Sequence, residues 1–234
     1  LADLQVTEWL LSQFSTIDEV KAALSSVRVV GLEKIAVVHW RIGEPSGRQV
    51  VLEIVGGVPH FYENEVGVLT NAPGFEWQLT NLNNYVNLHP GDASVQKLSG
   101  ITLQPTGGNS GFLGIPGDAT PPSRFVRAAF YRGTAPQRAT GFDTVQQCFH
   151  LLNNFDIPIG IEYSQAGDIP DIPSATQWTS AIDLTNRKVY YKTAYNNSIR
   201  CIDLKAIDFS KVKYQSQPLD KIQEQPVEMV KIPR

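Results

Sequence analysis

The chain has 234 residues, 42% apolar and 18% charged, enough to fold as one large domain or two small ones. A formal net charge of −3 and a sequence pI near 5.8, with no Lys/Arg cluster, argue against a nucleic-acid surface. No apolar run approaches the roughly 18 residues that a membrane-spanning helix needs, which argues against a membrane partner. The chain opens Leu1-Ala2-Asp3, without an initiator Met or a signal peptide, and is expected to be a processed, truncated or nicked product. Its two cysteines, Cys148 and Cys201, make no disulfide framework and leave the compartment open, whether cytoplasmic, periplasmic or extracellular.

Residues 4–13 predict a first helix, with Leu4, Trp9, Leu10 and Leu11 apolar. A second helix starts at the capping box Thr16-Ile17-Asp18-Glu19, and Val20, Ala23, Leu24 and Val27 form its stripe. The period then changes. Residues 34–42 and 49–54 are β-rich and joined by Gly43-Glu44-Pro45-Ser46-Gly47-Arg48, which predicts a hairpin. Val58 to Tyr62 and Glu65 to Leu69 predict two further strands, making four antiparallel strands with at least one buried face.

The stretch GVLTNAPGFEWQLTNLNNY, residues 67–85, delivers Thr70-Asn71 to a turn at Ala72-Pro73-Gly74. An amide at a strand end before a forced turn can be a fixed donor for developing negative charge. Equally, Asn71 can cap the turn through its own side chain. His39 invites an acid–base role, but it can as well be a half-buried strand residue beside Trp40, hydrogen-bonded to the main chain. His60, His89 and His150 are scattered, and no cluster with metal-ligand spacing surrounds any of the four.

Residues 88–117 are loop-rich, and their glycines lack the Lys-Ser/Thr of a phosphate loop. Pro121-Pro122-Ser123-Arg124-Phe125-Val126-Arg127 opens a helix, with prolines at its first turn. Arg124 there is either a surface residue or a guanidinium facing a buried site. Residues 143–155 predict another helix, on whose apolar side Cys148 reads as packing. Residues 176–183 and 188–194 predict a hairpin, and 197–204 one more strand with Cys201 buried in the sheet. The tail from Asp208 carries interspersed Lys, Gln and Pro and is expected to be weakly structured. Strands, helices and strands again make this an α+β chain of antiparallel sheets with layered helices.

Three features together resemble the choloylglycine hydrolases, the bile salt hydrolases and penicillin V acylases within the N-terminal-nucleophile (Ntn) hydrolases. They are Asn71 within GVLTNAPGFEWQLTNLNNY, the run GIPGD-x-x-x-PSRFVR ending at Arg127, and His39-Trp40; Arg124 follows Asn71 by 53 residues. The resemblance runs from about Leu4 to about Leu204. It implies an αββα four-layer sandwich of antiparallel sheets flanked by helices. It also implies hydrolysis of a linear amide C–N bond, in small molecules such as penicillin V, conjugated bile acids or N-acyl homoserine lactones.

In that family the nucleophile is a cysteine exposed as the first residue of the mature chain, whose α-amino group is the base, and no cofactor is called for. The resemblance casts Asn71 as the amide that stabilises the oxyanion and Arg124 as the guanidinium that orders the thiolate and the site. Residue 1 is Leu rather than Cys. Residues 1–234 are therefore expected to be the C-terminal portion of a single Ntn domain. A preceding segment outside this chain would complete it and supply the cysteine. A homo-oligomer, a tetramer built through the 88–117 excursion, is implied as well. The alternative is a non-catalytic binding or structural homologue of the same fold.

Overall fold

A computed structural model describes residues 1–31, 38–108, 111–161 and 175–233, which divide into two compact units, 1–135 and 136–234. In the first unit a short 3-10 turn, Asp3–Gln5, leads into α1, Val6–Gln13, followed by α2, Ile17–Leu24. The capping box forms as the sequence predicts. Thr16 accepts from the Glu19 amide while Glu19 returns a carboxylate to the Thr16 amide. Val6, Leu10, Val20 and Leu24 are buried, whereas Leu4 and Leu11, counted among the apolar residues of the first helix, lie exposed.

The sheet of this unit has three antiparallel strands in the order β1 (His39–Gly43), β2 (Gln49–Val55) and β3 (Val58–Glu63). The predicted first strand began at residue 34; residues 32–37 lie outside the described residues. Central β2 is covered on both faces, with Val50, Val51 and Leu52 fully buried. Alternation along the strand sends Leu52 toward α1 and α2, where Trp40, Ile42, Ile54 and Phe61 also pack. Val51 faces the other way, into a cluster with Val68, Phe75, Phe125 and Ala129.

The fourth strand predicted over 65–69 does not form; the segment is a turn and an extended loop. Asn64, buried after β3, accepts the Gly67 amide on its side chain at 2.8 Å and donates to the Val68 carbonyl at 3.2 Å. Gly67 takes φ 65°, and a Cβ there would stand 2.5 Å from the Arg132 guanidinium. A local side-chain turn thus outcompetes strand pairing for an apolar run.

Helix α3 (Phe75–Asn81) runs into a 3-10 turn, Leu82–Tyr85. Within the loop-rich 88–117 stretch the structure adds a two-stranded hairpin, β4 (Gln96–Leu98) and β5 (Ile101–Leu103), which the glycine- and proline-rich flanks concealed. Helix α4 (Pro121–Thr134) begins at its two prolines as predicted.

The second unit is smaller. Helix α5 (Gly141–Leu152), capped by the Thr140 side chain, packs Val145 and Phe149 against Tyr190 and Ala181. Behind them run β6 (Trp178–Asp183), β7 (Lys188–Thr193) and β8 (Arg200–Asp203), in that order and antiparallel. Cys148 is half-buried on α5, and burial pushes its thiol pKa up. Cys201, expected inside the sheet, is exposed on β8, an outer strand paired only with β7 among the described residues. The described tail from Asp208 carries no helix or strand. The α+β class with antiparallel sheets is therefore the one the residues predict.

Candidate active site

Asn71 and Arg124, far apart in sequence, meet. Arg124 Nη2 donates to Asn71 Oδ1 at 2.6 Å, and Arg124 Nε donates to the Ala119 carbonyl at 2.9 Å. The contact settles which end of the amide faces the guanidinium. A turned amide would set its NH₂ donor against an N–H donor, so Arg124 holds Oδ1 and leaves Asn71 Nδ2 as the outward donor. No described residue accepts from that Nδ2, and Asn71 is exposed. A fixed, unspent amide donor beside a permanent cation can stabilise an oxyanion.

Several contacts fix this pair. Thr70 Oγ1 donates to the Pro121 carbonyl at 3.1 Å, tying the segment before Asn71 to the start of α4. After Asn71 the chain passes a cis Ala72–Pro73 peptide and enters α3 at Gly74, which caps it without a side chain. Gln78, only 2% exposed, reaches back with Nε2 to the Asn71 and Pro73 carbonyls at long distances of 3.5 and 3.4 Å. The rings of Tyr62, Phe75 and Phe125 pack beneath, with centroids 5.9 and 6.0 Å apart in succession.

The loop before α4 is held as firmly. Arg127, buried, donates through Nη1 to the Pro116 and Asp118 carbonyls at 2.7 and 2.8 Å. Asp118 accepts from the Ser123 hydroxyl at 2.6 Å, the Thr120 hydroxyl, and the Thr120 amide at 2.9 Å. Those donors, Ser123 foremost, lower its pKa to about 2. The folded value lies below the unfolded one, near ~3.9, so this stabilisation is present above about pH 4 and is lost as pH falls toward 2. Asp118→Asn should therefore flatten the loss of thermal stability between about pH 4 and pH 2, followed by circular dichroism. An acid profile that overlays the wild type would contradict this role.

His39 does not rest on the main chain as expected. Its Nδ1 lies 3.2 Å from Glu53 Oε1, its direct cross-strand neighbour. Glu53, Gln78, Asp118 and Arg127 all escaped the sequence reading. Gln78 lies within GVLTNAPGFEWQLTNLNNY, Asp118 and Arg127 lie within GIPGD-x-x-x-PSRFVR, and Glu53 left a signal of its own as a lone carboxylate inside the apolar run of β2.

The model of the linear amide C–N hydrolases, choloylglycine hydrolase family, matches residues 1–218. The chain belongs to this family. It is 34% identical over 201 residues to a bile salt hydrolase/transferase of Clostridium perfringens, covering 84% of this chain and 60% of that protein. A penicillin V acylase of Pectobacterium atrosepticum is 28% identical over 233 residues, covering 88% of this chain and 54% of that protein. Among solved structures, a mutant conjugated bile acid hydrolase from Clostridium perfringens superposes with a TM-score of 0.81 at 30% identity. That match covers 99% of this chain and 70% of the other. The chain thus spans 60% of the length of the first of these relatives.

Proposed function

We propose that this chain forms the Asn71–Arg124 half of a linear-amide hydrolase whose nucleophile is an N-terminal cysteine supplied from outside the chain. It is then the C-terminal portion of one Ntn domain, completed by a preceding segment. The 2.6 Å contact from Arg124 to Asn71 carries this reading, because it commits the amide as a donor in a chain whose residues 1–218 match the family. In the proposed reaction the cysteine thiolate attacks the carbonyl carbon and the carbonyl oxygen becomes an oxyanion. Asn71 Nδ2 donates to that oxygen, and Arg124 holds the amide in place through its Oδ1. The C–N bond breaks as the amine takes a proton from the α-ammonium that received it from the thiol. Water then attacks the thioester and releases the acid, restoring the thiol.

Cys148 fits no nucleophile, since burial raises its pKa away from thiolate. Cys201 lies exposed on β8. The substrate is proposed to be a small amide with an apolar acyl group: penicillin V, a conjugated bile acid or an N-acyl homoserine lactone. Exposed Leu98, Ile101 and Leu103 on the β4–β5 hairpin support assembly into a homo-oligomer, proposed as a tetramer.

Intact-mass measurement of the purified enzyme, followed by turnover of penicillin V, glycocholate and a long-chain acyl homoserine lactone, tests the proposal. A co-purifying segment that begins with Cys, and turnover of one of the three, are expected. Its absence together with no turnover favours a non-catalytic homologue. Replacing both internal thiols, Cys148→Ser with Cys201→Ser, should leave kcat within about threefold of wild type, whereas loss of all turnover in a folded variant would place the nucleophile inside this chain.

A further inference from the structure

Glu53 is the carboxylate that the fold has least reason to bury. It is 6% exposed in central β2, between Leu52 and Ile54, where an apolar residue would pack without desolvating a polar group. Its hydrogen bonds show what it holds. Oε1 accepts the Phe75 amide at 2.7 Å and lies 3.2 Å from His39 Nδ1. Phe75 is the first residue of α3, and its N–H is one of the donors that a helix start leaves unsatisfied. Gly74, at the cap, offers no side chain, so Glu53 reaches across from the sheet to do what a capping residue does locally. The fit is close: a Cβ on Gly74 would stand 3.0 Å from Glu53 Oε2.

Asn71 lies four residues before Phe75. Arg124 and Thr70 fix the near side of this turn; Glu53 fixes the far side. Buried Gln78 adds a weak hold on the Asn71 carbonyl, and its Oε1 finds no partner among the described residues.

We propose that Glu53, oriented by His39, is a positioning residue that sets the Asn71 amide from the far side of its turn. This rests on the hydrolase reading above. A displacement near 1 Å at a reacting group can lower a rate by about a hundredfold. In the enzyme assembled with its cysteine-bearing segment, Glu53→Ala should lower kcat tenfold or more, with KM within about twofold. Glu53→Gln keeps an acceptor for the Phe75 amide and should restore kcat to within about threefold. A residue that merely supports the fold would lower the melting temperature in both variants and leave kcat alone at temperatures where they stay folded.

If Glu53→Ala does not fold, Gly74→Ala decides, since it needs no positive φ and presses a methyl toward Glu53 Oε2. A fall in kcat of about threefold at constant KM supports the proposal, and unchanged kcat overturns it. Folded Glu53→Ala with wild-type kcat, or with its loss confined to KM, also overturns it. Either result in an active wild type leaves the hydrolase reading standing, whereas an inactive wild type overturns both.

Discussion

Replacing Asn71 by Ala should lower kcat by about a hundredfold or more while leaving the fold intact, as loss of one oxyanion donor does in other acyl-transfer enzymes. The size follows from what the residue is spared. Asn71 is exposed and packs in neither of the two core clusters of its unit, so its removal opens no core cavity. What disappears is an amide whose acceptor end is already occupied by Arg124 at 2.6 Å, leaving its donor for the reaction. Steady-state turnover with melting temperature measured alongside checks this. A folded variant within a few-fold of wild type would remove Asn71 from the chemistry and return it to the role of a turn residue. Asn71→Asp is a useful companion, because it keeps the shape, replaces the donor with an acceptor, and should pair with Arg124 as an ion pair.

The second large effect is on stability. Phe125 follows Arg124 in α4, is fully buried, and packs its ring against Phe75 with centroids 6.0 Å apart. Val51 of central β2 and Ala129 lie in the same cluster. Truncation to Ala removes the transfer free energy of the ring and leaves a cavity that a sheet and two helices cannot close, which costs about 3–5 kcal/mol. Phe125→Leu keeps most of the volume and should cost about 1 kcal/mol. Urea unfolding followed by fluorescence, with Trp9, Trp40 and Trp77 as reporters in this unit, measures both. A Phe125→Ala loss under about 1 kcal/mol would show that the cluster relaxes around the site rather than supporting it rigidly.

How much of this was legible in the sequence depended on the range of the interaction. Thr16 and Glu19 announce a helix start because both partners lie within one turn, and that signal survives folding unchanged. The prolines at 121 and 122 open α4 for the same reason. Residues 65–69 misled because β-rich composition records only what a strand would bury. The competing Asn64 side-chain turn and the φ of Gly67 become decisive once Arg132 lies over that glycine. Cys201 misled in a related way: a strand position says nothing of whether the strand is an outer one.

Asn71 and Arg124 were legible only through family resemblance, since nothing in local spacing relates residues 53 apart. Glu53 stood in plain view as a charge inside an apolar strand. Its partners, His39 on the next strand and the Phe75 amide, could be named only from the register and the path of the turn.

The joint action of Asn71 and Arg124 is tested most directly by a double-mutant cycle on kcat, with Asn71→Ala, Arg124→Ala and the two combined. If Arg124 works by fixing the Asn71 amide, the second substitution has little left to remove, and the double variant should lie within about threefold of the slower single variant. If the two losses multiply, the guanidinium and the amide act independently, and the 2.6 Å contact between them is not what builds the site.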